Sequence, residues 1–487
     1  MNIVIRGVNW LGDTIMSIPA IRGIRELHPD ARISILVRKK VAPIFEIESS
    51  IDEIIVYEPG LKGKLKGIKN LKDGGFQRAY LLQNALDAAL IAFIAGIPER
   101  VGWDRDCRGF LLTHRVPYNR EDRKMHHINY FFEIPRRFNP SLLPQYPWIN
   151  PALKDRISSR NELKSLKRPI LAIAPGAKYG VTKRWEGRKF IEIIRRFTKN
   201  FGSVVVLGQN DDRLSFNSQE REELKEHLFD FTGKTSLYDL ISLLSECDLL
   251  LCNDSGIMHL GYALGVPLVA IFGSTSPELT GPPRLAGKVV RSAVECSPCF
   301  KSRCSHIRCM ESIDVEEVWN ALLEIIPTKR AVFFDRDGTL CRDAHYLSRW
   351  EDFEALSHLD KLQELKELGF LLIGITNQSG IARGIIKEDF VREVNQLFID
   401  KYSFDDFFYC PHHPQDSCFC RKPKPALALV ARYKYRIDFK KSYMVGDKEI
   451  DMEFANTIGA KGILIGRDAN NLAQVVEIIK RDLNVKR

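Results

Sequence analysis

Two carboxylates stand one residue apart in Asp335-Arg336-Asp337-Gly338-Thr339-Leu340, directly after the apolar run Ala331-Val332-Phe333-Phe334. An aspartate at a strand end can attack phosphorus in line and become an aspartyl-phosphate. A second aspartate beside it can protonate the leaving oxygen and then activate water. The approach of two anions needs a divalent cation, here Mg²⁺, and a further acid to hold it. Asp447, in Val445-Gly446-Asp447-Lys448 after a second apolar run and with Asp451 four residues on, completes a ligand set of Asp335, Asp337 and Asp447. Thr376 and Asn377 end the run Ile373-Gly374-Ile375 with a hydroxyl and an amide suited to phosphate oxygens. Arg421, Lys422 and Lys448 add positive charge. An Asp-x-Asp alone is more often a solvated turn. Here four pieces follow in order, each expected at the C-terminal end of a strand, where open α/β sheets bind ligands.

Cysteines form two tight groups. Cys410-Pro411-His412-His413, then Cys418-Phe419-Cys420, gives Cys-x-His-x5-Cys-x-Cys. Three thiolates and an imidazole make a closed tetrahedral Zn²⁺ site, structural because no position stays open for water. Spacing leaves His412 and His413 both eligible, with His412 as the assigned ligand. Such a zinc would staple the loop that carries Arg421 and Lys422. Cys296, Cys299, Cys304 and Cys309 also have metal-like spacing, and a bound metal and reduced structural thiols are equally good readings.

Chemistry-bearing residues also occur far upstream. Asn9-Trp10-Leu11-Gly12-Asp13 joins a first strand to a first helix. Asp13 reads as an N-cap or as a general base for a sugar hydroxyl. The helix dipole lowers its pKa, so burial has to offset that. Pro175-Gly176-Ala177 and Thr182-Lys183-Arg184-Trp185 follow a later strand, and two cations beside a hydroxyl suit a diphosphate. Asn253-Asp254-Ser255-Gly256-Ile257-Met258-His259 opens a helix whose free N–H groups can bind phosphate oxygens.

The elements that must position these residues alternate between strand and helix throughout, which predicts parallel sheets. Strands are expected over 33–37, 54–57, 79–82, 170–174, 204–207, 249–252 and 268–271, with a helix over 13–27. A Pro- and Asn-rich stretch at 139–151 interrupts the pattern, and a helix over 314–326 stops at Pro327. The expected domains are therefore 1–150, 151–327 and 328–487. A chain of 487 residues with 45% apolar and 28% charged residues is long enough for about three soluble domains. No stretch is long enough to span a membrane, 88–97 being the longest candidate, and the N-terminus lacks the build of a signal peptide. Grouped cysteines and these absences predict the cytoplasm. The net charge of +10 fits an anionic substrate or membrane surface; no nucleic-acid recognition module is found. Lys62, Lys64, Lys66, Lys69 and Lys72, with Gly63 and Gly67, read as a basic loop. It is either a solvated charge run or a contact for acceptor phosphates or anionic lipid.

The motifs from 329 to about 480 resemble the haloacid dehalogenase (HAD) phosphatase superfamily. The zinc loop narrows the resemblance to D,D-heptose 1,7-bisphosphate 7-phosphatases and histidinol-phosphate phosphatases. Asn377-Gln378-Ser379-Gly380-Ile381-Ala382-Arg383-Gly384 and His345-Tyr346-Leu347 look like the heptose enzyme. The ordered set from 1 to about 326, which includes Phe272-Gly273-Ser274-Thr275-Ser276-Pro277, resembles glycosyltransferase family 9, specifically its heptosyltransferase II branch. Glu186-Gly187 departs from it where the family often has Pro.

The resemblance implies an α/β chain: a GT-B pair of Rossmann-like domains, acceptor side first and donor side second, followed by a HAD-like domain. It implies metal-independent inverting transfer of heptose from ADP-heptose to a lipid A-core acceptor. Asp13 would be the base and Lys183 the stabiliser of the diphosphate. Thr182, Asp254, Ser255, Gly256 and His259 would line the donor site. It further implies hydrolysis of the 7-phosphate of heptose 1,7-bisphosphate. The place implied is the cytoplasm, with peripheral contact at the inner face of the cytoplasmic membrane as an added reading. The alternatives are a histidinol-phosphate phosphatase at the C-terminus, another nucleotide sugar at the front, or one half serving only as a binding module.

Overall fold

A computed structural model describes residues 1–150, 163, 165–416 and 418–484. It divides into two compact units, Met1–Glu324 and Ile325–Arg487, a few residues before the expected break at 327/328. The expected boundary at 150/151 adjoins residues 151–162, which lie outside the described residues.

The first unit holds two six-stranded sheets. One is built from β1 (Asn2–Arg6), β2 (Arg32–Val37), β3 (Glu53–Val56), β4 (Arg78–Leu81), β5 (Glu99–Trp103) and β6 (His114–Val116), in the order β3-β2-β1-β4-β5-β6. The other is built from β7 (Ile170–Ala174), β8 (Ser203–Val206), β9 (Leu228–Asp230), β10 (Leu249–Asn253), β11 (Leu268–Phe272) and β12 (Gly287–Arg291), in the order β12-β11-β10-β7-β8-β9. Their ladders are parallel. The central strands are buried along nearly their whole length, as continuous apolar runs covered by helices on both faces must be.

Helix α1 (Leu11–Leu27) leaves β1 at the point where strand order reverses. Its isoleucines at three-residue steps serve two cores. Met16, Ile21 and Ile24 pack with the first sheet. Ile15 and Ile18 join an apolar cluster with Leu250, Leu260 and Leu268 of the second lobe. The first residues of α1 are small or apolar for the same reason. A Cβ on Gly12 would stand 2.7 Å from the His259 ring, and one on Gly256 would stand 3.1 Å from Leu11. Asp13 is therefore not the N-cap: Trp10 occupies that position without a side-chain bond, and Asp13 is the third helical residue.

The lysine-rich run is a helix, α2 (Leu61–Asp73), rather than a loop. Its glycines are not breakers. Gly63 and Gly67 lie on the buried face, and a Cβ on Gly63 would fall 1.9 Å from the Glu58 carbonyl oxygen. Helix α3 (Leu86–Ile94) packs beside it, and α4 (His127–Arg136) packs on α1. Residues 146–149 bond to the second lobe, through Tyr146 to the Tyr262 carbonyl at 3.2 Å and Ile149 N–H to the Ala263 carbonyl at 2.7 Å. Helix α5 (Gly256–Ala263) follows β10.

The second unit is a five-stranded parallel sheet: β13 (Arg330–Phe334), β14 (Phe370–Asn377), β15 (Asp406–Cys410), β16 (Tyr443–Gly446) and β17 (Lys461–Leu464), in the order β15-β14-β13-β16-β17. The strand before Asp335 is central. Those ending at Asn377 and Gly446 flank it, so three separated motifs meet at one edge of the sheet. No helix among the described residues is long and apolar enough to cross a membrane.

Candidate active sites in the two units

In the first unit Asp13 lies in a pocket of about 370 Å³ with Asn9, Trp10, Arg105, Arg123, His127 and Tyr130. Burial raises its carboxyl to about 6, against the lowering field of Lys183. The offset that a base at a helix start requires is thus present without a bound acceptor. His127 is pushed down to about 4 and His259 to about 3, both chiefly by burial, so both rings are neutral near pH 7.

The loops after β7, β10 and β11 meet opposite. Lys183 Nζ is 2.5 Å from Asp254 Oδ2, and the Thr275 hydroxyl donates to the same oxygen at 2.6 Å. Asn253 ties two of these loops together, donating to the Pro175 carbonyl at 2.7 Å and accepting from Trp185 N–H at 3.2 Å. Ser255 stands at the N-cap position of α5, its hydroxyl buried without a partner, and Gly256 opens the helix. Thr182 differs from expectation. Its buried hydroxyl donates to the Lys301 carbonyl at 2.6 Å and accepts from Ser274 at 3.1 Å, so it pins the turn that presents Lys183. The His259 ring is committed to Tyr262, with Nδ1 3.0 Å from the hydroxyl, and lies against Gly12.

In the second unit Lys422 Nζ bridges Asp335 Oδ1 and Asp451 Oδ1, each at 2.7 Å. All three side chains are almost wholly buried. Burial raises Asp335 to about 6 against the lowering effect of Lys422. Ligand oxygens of Asp335, Asp447 and Asp451 lie within 4.8 Å of one another, a donor set that fits a hard divalent cation. Gly338, at φ +92°, leaves room for Asp447: a Cβ there would come 2.3 Å from its carboxylate.

Of the expected ligand set, Asp335 and Asp447 fall in this cluster and the Asp337 carboxylate does not. Arg336 forks it, Nε to Oδ1 at 3.1 Å and Nη2 to Oδ2 at 3.2 Å, and Gln378 donates to Oδ2 at 2.6 Å. Asp451 takes the third place. Asn377 does not point a free amide at the site either. It accepts from Lys422 N–H at 3.0 Å and donates to the Lys422 carbonyl at 3.3 Å, which fixes that lysine's backbone. Thr376 accepts from Gln378 at 2.9 Å. Arg421 keeps one guanidinium nitrogen buried with no hydrogen-bond partner among the described residues. Lys448 lies at the rim, 2.8 Å from Asp343.

Cys410, His412, Cys418 and Cys420 converge with ligand atoms within 4.8 Å of one another. His412 Nδ1 is 3.1 Å from Cys420 Sγ, whereas His413 turns back to its own loop and accepts from Gln415 N–H. The choice that spacing left open falls to His412, and the soft donor set fits Zn²⁺. The sulfurs of 296–309 form no such cluster among the described residues. Their loop instead braces the Lys183 turn. Cys299 and Phe300 N–H groups bond the Ser274 carbonyl at 3.1 and 2.8 Å, and Ser297 donates to the Gly273 carbonyl at 2.6 Å.

Residues 64–309, half of the chain, match the model of glycosyltransferase family 9 (heptosyltransferase). The chain belongs to glycosyltransferase family 9. The family 9 unit is 28% identical over 301 residues to lipooligosaccharide heptosyltransferase 2 of Haemophilus influenzae, covering 58% of this chain and 86% of that protein. Its fold matches the solved ADP-heptose heptosyltransferase II of Escherichia coli, with a TM-score of 0.56, 24% identity and coverage of 66% of this chain and 98% of that one. The GT-B expectation therefore stands. Downstream of it, residues 419–485 match a HAD-hydrolase-like model. That part of the chain is 43% identical over 138 residues to D-glycero-beta-D-manno-heptose-1,7-bisphosphate 7-phosphatase of Escherichia coli, covering 26% of this chain and 72% of that enzyme. A family 9 unit and a HAD-type phosphatase unit are thus joined in one polypeptide.

Several residues at the family 9 site were invisible to motif reading. Arg105, Arg123, His127 and Tyr130 come from separate loops and a helix with no shared spacing. In the phosphatase unit, Gln378 and Arg336 did lie inside quoted motifs, but nothing in their order marked them as holders of Asp337.

Proposed function

We propose that this protein is a bifunctional enzyme of lipopolysaccharide core assembly. It transfers heptose from ADP-heptose to an inner-core acceptor and removes the 7-phosphate of D-glycero-D-manno-heptose 1,7-bisphosphate. The observation that carries the reading is that its two units resemble two enzymes whose names share one sugar.

In the first unit Asp13, held near 6, accepts the proton of the acceptor hydroxyl as its oxygen attacks the anomeric carbon. The bond from that carbon to the diphosphate breaks, and Lys183 takes up the charge of the departing ADP, leaving Asp254 to Thr275. In the second unit Asp335 attacks phosphorus, Asp337 gives its proton to the sugar oxygen, and Asp337 then takes a proton from the water that splits the aspartyl-phosphate. Lys422 and Arg421 hold the phosphoryl oxygens. Bound Mg²⁺ supplies charge neutralisation at Asp335, Asp447 and Asp451, and Zn²⁺ at the four-residue cluster fixes the Arg421–Lys422 loop. The phosphatase product keeps its 1-phosphate and still lacks a nucleotide, so it is not the transferase donor. Joining the units fixes their stoichiometry and location, which we place at the cytoplasmic face of the inner membrane.

The test is turnover by the full-length chain. Phosphate release should be faster from heptose 1,7-bisphosphate than from histidinol phosphate, and transfer should occur from ADP-heptose rather than UDP- or GDP-sugars. The opposite preference in either assay would overturn that half of the assignment.

A further inference from the structure

Helix α3, Leu86-Asp87-Ala88-Ala89-Leu90-Ile91-Ala92-Phe93-Ile94, is apolar on every face, a composition expected of a buried helix. Its inner side is buried: Ala89, Ile91 and Ala92 pack into a core with Leu71 and Leu81. Its outer side is not. Leu86, Leu90, Phe93 and Ile94, spaced by four, three and one, are 42–54% exposed. The one charged residue, Asp87, is paired with Lys64 of α2 at 3.1 Å. On α2, Leu61 and Leu65 are 75% and 57% exposed. Lys62, Lys66, Lys69 and Lys72 surround them, exposed and without an ion-pair partner among the described residues. The two helices touch, so apolar side chains and lysines form one continuous surface.

Its position adds to its composition. Leu82, Gln83, Asn84 and Ala85 line the Asp13 pocket, and the next residue begins α3. The apolar stripe therefore starts at the mouth of the pocket that would receive the acceptor.

We propose that the outer faces of α2 and α3 dock on an anionic phospholipid leaflet, the leucines and Phe93 entering the interface and the lysines meeting the headgroups. This rests on the reading of a lipid-borne acceptor and names the surface that would present it to Asp13. Charge complementarity selects the occupant: a second copy of the chain set face to face would bring two lysine clusters together, whereas anionic lipid neutralises them.

The test is co-sedimentation of the full-length protein with phosphatidylcholine vesicles and with phosphatidylcholine–phosphatidylglycerol vesicles at low and high salt. Transfer to a water-soluble acceptor sugar is measured in parallel. Binding to the anionic vesicles alone, weakened by salt, is expected. Lys66→Glu with Lys69→Glu, and separately Leu90→Ser with Phe93→Ser, should each lower binding at least ten-fold, since each lysine near the surface contributes roughly five-fold. All four positions are exposed, and transfer to the soluble acceptor should stay at the wild-type rate, which also reports folding. Active wild-type protein that binds neither vesicle would overturn the surface and leave the activity standing. Binding without transfer from any donor would support the surface and overturn the activity. A dimer that Phe93→Ser dissociates would overturn it in favour of self-association.

Discussion

Gln378 donates to Asp337 at 2.6 Å and holds that carboxylate beside Arg336, apart from the cluster of Asp335, Asp447 and Asp451. Two neighbouring aspartates thereby take different tasks: one lies in a lysine-lined, cation-binding cluster, the other in a hydrogen-bonded clasp. Gln378→Ala should release the clasp. Phosphatase kcat is expected to fall about ten-fold or more, within the range general acid–base catalysis contributes, with little change in the Mg²⁺ dependence. An unchanged kcat would show that Gln378 does not position the acid.

Asp335→Asn and Asp13→Ala should each abolish one activity and leave the other at the wild-type rate, because the two carboxylates belong to separate compact units. Both assays on each purified variant check this. Loss of both from one substitution, without unfolding, would contradict independent sites.

On the proposed mechanism Asp13 sets the pH dependence of transfer. Its carboxyl is raised from 3.8 to about 6, so the base is protonated and inactive below that value, and the rate should rise with pH and level off above it. The same shift has a stability consequence of opposite sense. The unfolded chain ionises Asp13 more readily, so ionisation costs folding free energy as pH climbs from about 4 to about 6 and by a constant amount beyond, on the order of 2–3 kcal/mol. Asp13→Asn removes that cost. It should raise Tm by a few degrees above pH 6, by progressively less toward pH 4, and abolish transfer throughout. Thermal scans across pH measure the first effect and donor turnover the second.

Lys183→Ala should damage both binding and folding. It removes the cation proposed to face the donor diphosphate and leaves Asp254, almost wholly buried, with Thr275 as its remaining side-chain partner among the described residues. Breaking a buried pair from one side costs about 3 kcal/mol. Chemical denaturation should show that loss, and Lys183→Ala with Asp254→Asn should recover stability without recovering transfer.

Zinc removal should act on the phosphatase alone. Cys420 is followed by Arg421 and Lys422, so the Cys/His cluster and the lysine that bridges Asp335 and Asp451 meet within three consecutive residues. Cys420→Ser should lower bound zinc, measured by elemental analysis, and phosphate release by about 10–100-fold, the range typical for groups that orient a site from outside it. Transfer should be unaffected.

Most chemistry was legible in the sequence because it sits in short contiguous strings at the ends of central strands, where apolar runs mark the strand and polar residues the site. Edge strands were harder to read. His114–Val116, Leu228–Asp230 and Gly287–Arg291 at sheet edges, and Glu99–Trp103 next to one, carry polar residues where only part of the strand is covered, and none was expected. The lysine run was misread because Gly63 and Gly67 look like breakers when their place on the buried helix face, and the close approach of Gly63 to the Glu58 carbonyl, are out of view. Asp13 was placed too early in its helix for a similar reason, since the fit of Leu11 and Gly12 against α5 is tertiary. Which of Asp337 and Asp451 turns its carboxylate toward Asp335 and Asp447 depends on side-chain direction, which spacing does not encode.

Helix α1 is the axle of the transferase unit. Ile15 and Ile18 are packed into the second lobe's core while Met16, Ile21 and Ile24 are packed into the first. Asp13, one turn away, rides on that axle. Opening and closing of the lobes about this helix would then swing the far rims widely and the Asp13 carboxylate hardly at all.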